Sequence, residues 1–372
     1  MHHNHHHFLH VLKNKELSEL YISMALRSFT IALIGIFVPI YLLNNGYSLF
    51  EVIIFSIVLN LSHIIFIVPA AKFCAKYGFK HSMFVSIPFL VLFFFMLYSI
   101  KIWPIYLVGA IYGINNAFYY MGYNVDFAKS SDKNKRGQEI GTAKIISSIF
   151  IVFGPLLGGI ILTVFGFKIL FTIAAILLFI SIIPLFLTKD IHEPFKFNLK
   201  DAKLFNFKKD ILPYMSYGAE TGASSVFWPI IIYFTVLGSY KSLGLTNSLM
   251  LLCGLIFMYF TGKVVDKNKR KVLRYGSLLN AIVWLARTLV ITPIQVFMID
   301  SIKGISQTLY EFPFLALSYD KAAKKRIIEY TIFRELSIQF GRTVMFIVIL
   351  LIGEIKLSLF IGSLSSMIYL LF

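Results

Sequence analysis

Twelve long apolar runs separated by short polar breaks dominate the chain, at 19–43, 50–70, 82–100, 104–125, 141–163, 167–187, 211–237, 244–262, 272–291, 293–318, 331–353 and 356–372. Each holds about 17 residues or more, enough for a helix rising about 1.5 Å per residue to cross a hydrocarbon core about 30 Å thick. No water reaches the backbone there, so every N–H and C=O must be satisfied within its own segment. The runs therefore read as helices, and the chain as an all-α integral membrane protein with 12 transmembrane helices.

Composition and charge placement agree. Hydrophobic residues make up 58% of the chain and charged residues 14%, whereas about a quarter of a soluble domain is charged. The formal net charge of +17 is spread over short breaks instead of one face, which argues against nucleic acid and for contact with the anionic headgroups of a lipid bilayer. Lys and Arg gather in every second break, while the others hold only Lys101, Lys168, Lys241 and Lys356. Loops rich in Lys and Arg stay in the cytoplasm, so we expect a multi-pass protein of the plasma (inner) membrane with both termini cytoplasmic. Cys74 and Cys253 lie in or beside different runs without disulfide or metal spacing and are expected as free thiols. The histidine-rich tail, 1–18, reads either as a metal-binding tract or as a tag or solvated tail, and is left out of the fold. Run 1 follows Lys13 and Lys15 without a small-residue cleavage site and is expected to serve as its own targeting signal.

The longest polar break, 188–210, divides the chain into two sets of six runs, 19–187 and 211–372. Two features recur in both sets. The break after run 2 reads Ala71-Lys72-Phe73-Cys74-Ala75-Lys76-Tyr77-Gly78-Phe79-Lys80-His81, and that after run 8 reads Gly262-Lys263-Val264-Val265-Asp266-Lys267-Asn268-Lys269-Arg270-Lys271. Both resemble the helix 2 to helix 3 signature of the major facilitator superfamily, G-x-L-x-D-[RK]-x-G-[RK]-[RK]. The second copy departs from it with Lys269 at the second Gly, and the first with Ala71 and Ala75 where Gly and Asp stand in the family. The other recurrence is R-x-x-E-x-x-x-x-[KR], as Arg136, Glu139 and Lys144 after Asp126, and as Arg326, Glu329 and Arg334 after Asp320. It reads as helix capping and topology, or as a charge network on the cytoplasmic side that holds the two halves together in one state. Gly154, Pro155, Gly158 and Gly159 in run 5 resemble the G-P-x-x-G-G core of the helix 5 motif of proton-linked antiporters in that superfamily, although Phe150 replaces an outlying Gly. Close helix packing around a kink would account for the same residues.

The resemblance spans Leu20 to Phe372. It implies two pseudo-symmetric six-helix bundles, a central cavity lined mainly by helices 1, 4, 7 and 10 with contributions from 2, 5, 8 and 11, and alternating access.

Ionisable residues in hydrocarbon cost at least about 2.5 kcal/mol each on insertion scales, which makes each a functional hypothesis. Arg27, His63, Lys144, Glu220, Arg287, Asp300, Lys303 and Arg342 all fall inside runs. At about 1.5 Å per residue, Glu220 lies roughly 14 Å and Arg342 roughly 16 Å from the basic side, near the midplane, and Arg27 roughly 12 Å deep. Glu220, in a stretch of small residues, is the first choice for a coupling site, with a permanent ion pair to an arginine such as Arg342 as the other reading. Arg27 is expected to face the cavity or to snorkel to the headgroups. By the same arithmetic Arg287 and Asp300 stand at one level and could pair. His63 reads as a proton relay or a polar packing residue. Asn116, Tyr119, Tyr120 and Tyr123 follow helical spacing on one stripe, either hydrogen-bonding between helices or walling a cavity that Trp228 would extend.

No nucleotide-binding glycine loop, metal-ligand cluster or nucleophile elbow stands out, so neither an enzyme nor a cofactor nor a metal is expected. The leading expectation is a monomeric, proton-coupled carrier exporting a small organic molecule. Proton-coupled uptake of a sugar, organic acid or similar nutrient is the alternative, and a non-transporting receptor on the same fold the third.

Overall fold

The computed structural model describes residues 15–130, 136–186, 208–324 and 327–372, and within these not the side chains of 15–18, 20–21, 126–130, 136–147, 185–186, 259–267 and 323–324. The histidine-rich tail up to residue 14, the bulk of the linker, Arg326, the side chains of Asp126, Arg136, Glu139, Lys144 and Asp266, and the surroundings of Gly262 lie outside what is described.

Twelve helices follow in order among the described residues. Helix α1 runs Lys15–Ile34 and continues through a 3-10 turn, Gly35–Phe37, into Val38–Asn44. Then come α2 (Leu49–Tyr77), α3 (Phe79–Tyr98) and α4 (Ile105–Ser130). The run Arg136–Ile182 is broken at Gly166, with φ 78 and ψ 177, into α5 (136–165) and α6 (167–182). Helix α7 comprises Ile211–Gly222, a π segment Ala223–Phe227, Trp228–Ile232 and a second π segment Tyr233–Leu237. The set closes with α8 (Tyr240–Lys267), α9 (Lys269–Ala286), α10 (Pro293–Lys324), α11 (Ile327–Ile352) and α12 (Leu357–Ile368).

Local chemistry explains the boundaries. Ser48 and Glu51 form a reciprocal capping box that opens α2, satisfying two orphan N–H groups. Gly78, at φ 106, makes the turn between α2 and α3 that a residue with Cβ would resist. Asn268 caps α9 by accepting from the Lys271 N–H. The first π segment begins in the small run Ala223-Ser224-Ser225, where there is little side-chain packing to hold the tighter winding.

Among the described residues, seven segments are long and apolar enough to cross a membrane on length and composition alone. Helices α9 and α10 are not among them; α10 carries Asp300, Lys303 and Glu311, and Arg287 follows directly on α9. Those charges can lie at membrane depth only when partnered.

Packing repeats between the halves. Helix α1 packs on α5, α2 and α3 on α4, and α3 on α6; correspondingly α7 packs on α11, α8 and α9 on α10, and α9 on α12. The halves meet through α2 against α11 and α5 against α8. This is the expected pair of pseudo-symmetric six-helix bundles. Glycines let the backbones touch: a Cβ at Gly218 would collide with the Ile338 carbonyl, and one at Gly341 with that of Met215, so α7 and α11 lie in direct backbone contact. Cys74 and Cys253 are not joined in a disulfide; Cys74 is buried and Cys253 half-buried.

Candidate functional site

Two chambers lie between the bundles. The first, of about 440 Å³, is bounded by α1, α2, α3, α4 and α5 on one side and by α7, α8 and α11 on the other. On α1 it touches Ile31 to Pro39, toward the α1–α2 turn. The second, of about 310 Å³, touches Met24 and Ser28 on α1 and lies toward the face of the linker. Tyr120, Ile151 and Arg342 belong to both walls and form the partition.

The chambers differ in chemistry. The first is walled by Phe55, Leu59, Phe93, Phe94, Tyr112 and Phe346, with the amides of Asn60, Asn116 and Asn247 interspersed. In the second, Glu311, Glu335 and Arg334 join Tyr123, Asn124 and Tyr319. Arg342 at the partition donates to Thr221 Oγ1 from Nη2 at 3.0 Å and from Nε at 3.2 Å, and to Gln339 Oε1 at 3.4 Å.

Contacts between the halves flank the chambers. On the linker side, Asn124 of α4 donates to Glu335 Oε1 of α11 at 3.2 Å, and its own oxygen accepts from Tyr319 at 2.8 Å and Arg334 at 3.1 Å. His63 of α2 places Nε2 3.7 Å from Glu335 Oε2. That is ion-pair distance but too long for a hydrogen bond, and neither His63 nitrogen has a hydrogen-bond partner. Both side chains are buried. On the opposite side Asn44 of α1 donates to the Tyr240 hydroxyl of α8, and Tyr240 packs edge-on against Phe37 and Phe167.

The tyrosine and asparagine stripe divides. Asn116, Tyr120 and Tyr123 reach the chamber walls, whereas Tyr119 turns away and carries the Arg27 guanidinium 3.3 Å above its ring. Arg27, expected to face the cavity or the headgroups, does neither. It is buried within the first bundle and donates to Asn115 at 2.8 Å, because cation–π and amide contacts compensate the charge locally.

Glu220, expected at the cavity with Arg342 as a possible partner, is fully enclosed inside the second bundle. Its Oε1 accepts from Lys303 at 2.5 Å and Trp284 at 2.9 Å, and its Oε2 from Tyr310 at 2.8 Å. Asn280 links the group by accepting from Lys303 at 2.7 Å. The carboxylate is thus satisfied by α9 and α10, and Arg342 is turned to the chambers. Trp228, expected to extend the cavity wall, instead donates to the Asp300 carboxylate at 3.0 and 3.1 Å. Arg287 pairs with the same Asp300 at 2.7 Å and lies over the Trp228 ring, as the level arithmetic anticipated.

Among the charge-network positions, Asp320 pairs with Lys269 at 2.7 Å, and Arg334 reaches across to Asn124. Glu329 is half-buried near the start of α11, and Arg270 and Lys271 are exposed at the start of α9. Lys80 is buried within the first bundle, 3.8 Å from Glu19. The helix 5 residues are packing sites: a Cβ at Gly154 or Gly158 would strike α1, and one at Gly159 the Tyr240 carbonyl of α8. Pro155 presents its carbonyl to Gly244.

Sequence reasoning missed Glu335 and Glu311. Both are carboxylates inside apolar runs, the same signal that selected Glu220. Nothing in the pattern marks Asn280 or Thr221.

Comparison with known proteins places this architecture. The family model of the Major Facilitator Superfamily matches residues 20–326. The chain is 24% identical over 269 residues to the uncharacterized protein YqgE of Bacillus subtilis (strain 168), covering 66% of this chain and 60% of that protein's length. A crystal structure of the E. coli fucose:proton symporter FucP superposes with a TM-score of 0.69 at 13% identity, covering 95% of this chain and 96% of that one. FucP in its outward conformation gives 0.67 at 13% identity, with 96% and 97% covered. The repeated bundles, the paired loop signatures and the family match over most of the chain together mean that this protein belongs to the major facilitator superfamily.

Proposed function

We propose that the chain is a proton-coupled secondary transporter that carries a small organic solute through the two chambers by alternating access, as a monomer in the plasma membrane with its basic, linker-bearing face in the cytoplasm. The observation that carries this reading is the buried His63–Glu335 contact, which joins the two halves beside the second chamber. Opening the linker face must separate Glu335 from both His63 and Asn124. Arg334 on the same helix stays with Glu335, but losing the Asn124 donor leaves a buried acceptor unsatisfied at a cost of about 1–3 kcal/mol, and a proton on Glu335 removes the charge that needs that donor. The titratable and charged groups around it are His63 on α2, Tyr120 and Tyr123 on α4, Glu311 and Tyr319 on α10, and Arg334 and Arg342 on α11. Proton uptake and opening toward the linker face are thereby linked, and coupling falls to Glu335 instead of the sealed Glu220.

Export is the direction we assign, on the helix 5 resemblance. Uptake is the second reading, favoured by the overall likeness to a structure described as a fucose:proton symporter. Proteoliposomes loaded with labelled sugars, organic acids and lipophilic compounds, under a pH gradient of either sign, test both. Accumulation against the gradient of the solute identifies a coupled carrier and its direction, and binding without movement of any solute refutes transport.

A further inference from the structure

Among the described residues, the deep cations fall into two classes, those with a carboxylate and those without. Lys303 has Glu220, Arg287 has Asp300, Arg334 has Glu335 and Lys80 has Glu19, each within 4.0 Å. Arg27 has no carboxylate but is sealed under Tyr119 and Asn115, away from both chambers. Arg342 alone among the described residues combines three properties: it lies near mid-span, it faces a chamber, and no carboxylate is within ion-pair distance. Its contacts are three neutral ones at 3.0 to 3.4 Å, while a guanidinium has five N–H donors. The nearby Glu335 is already engaged by His63, Asn124 and Arg334, and Glu311 accepts from Gln307 at 2.8 Å.

Glu335 acts on Arg342 across the second chamber without reaching ion-pair distance, so the guanidinium is compensated from that side only at longer range and keeps donors that only neutral groups meet. Thr221 and Gln339 hold the guanidinium by opposite edges, which orients it before a ligand arrives. The first chamber then extends from Arg342 as an apolar space with Phe55, Phe93, Phe94 and Phe346 on its walls and the amides of Asn60 and Asn116 as its polar points.

We infer that the transported solute is an amphipathic organic monoanion. Its carboxylate or similar acid group binds Arg342, and its apolar, ring-bearing body fills the first chamber. This rests on the transporter reading above and specifies its substrate class. An anionic lipid headgroup presents the same acid chemistry, so the experiment separates the two.

The test is thermal stabilisation and calorimetric binding of the purified full chain in non-ionic detergent, with four probes: 4-phenylbutyrate, its alcohol and amine analogues, and acetate. The expected result is binding of phenylbutyrate at least about tenfold tighter than the alcohol, amine or acetate, one charge-assisted contact being worth about that factor. Arg342→Gln should abolish the preference for the acid. Thr221→Val, which removes the two contacts on one edge and leaves Gln339 on the other, should weaken the acid several-fold with the unliganded melting temperature unchanged, and so reports on the site even if the arginine variant folds poorly. Equal binding of all four, preference for the amine, or no binding of the acid overturns the inference. So does displacement of phenylbutyrate by phosphatidylglycerol together with equal stabilisation by that lipid, which would make the site a lipid's. Counterflow of a neutral solute without any effect of Arg342→Gln would refute this inference while leaving transport intact. Tight acid binding without transport would do the reverse.

Discussion

The Lys303 ammonium lies 2.5 Å from the Glu220 carboxylate, with both side chains about 1% exposed, and the pair closes a network with Trp284, Asn280, Tyr310, Ser306 and Ser366. Beside it, Arg287 stacks over the rings of both Trp228 and Trp284 while pairing with Asp300. Two ion pairs thus share one aromatic partition inside the second bundle. A lone charge there is prohibitive, so the two pairs act as a structural keel for α7, α9 and α10.

Glu220→Gln should therefore cost stability. Leaving Lys303 uncompensated is worth about 3–5 kcal/mol, while replacing both partners by apolar residues, as in Glu220→Leu with Lys303→Met, should recover much of it. Thermal melting in detergent checks this. A single variant that melts normally but no longer couples would return Glu220 to the coupling role.

Glu335→Gln should keep solute exchange and lose its response to a pH gradient, because the amide can hold Asn124 but cannot bind and release a proton. His63→Gln should do the same more weakly. Counterflow beside gradient-driven transport, measured in the same vesicles, separates the two activities; parallel loss of both would point to a packing role for the pair.

Gly341→Ala and Gly35→Ala form a contrast. The first places a methyl on the Met215 carbonyl, whereas at Gly35 the nearest atom is 3.8 Å away. Overpacking costs about 1–3 kcal/mol, so the α11 variant should melt lower, while the α1 variant stays within about 0.5 kcal/mol.

Tyr240→Phe removes the hydroxyl that Asn44 bonds across the halves on the face away from the linker. A hydrogen bond worth about 0.5–1.5 kcal/mol shifts a two-state equilibrium about two- to tenfold. In a chain with Cys74 and Cys253 replaced by Ser, a reporter Asn247→Cys should label faster from that face when Tyr240 is Phe. An unchanged rate would mean that the contact does not gate the first chamber.

The helical passes, the division into halves and the crowding around Gly158 were legible in the sequence, since hydrocarbon demands long apolar helices and close helices demand small residues. Even the Arg287–Asp300 pair followed from counting rise along two helices, because depth is a one-dimensional quantity. Rotation about the helix axis was not legible. Each residue turns its neighbour by about 100°, so Thr221 and Gly222 line the first chamber while Glu220 points into the bundle. The same turn hides Tyr119 and shows Tyr120. A soluble helix betrays its buried face by an apolar stripe, but a membrane helix is apolar toward lipid as well as toward its neighbours, and the stripe that would set the rotation is missing. Only tertiary packing, through the Gly218 and Gly341 contact of α7 with α11 and the donors that α9 and α10 bring to Glu220, decided which deep charge is sealed and which faces the solute.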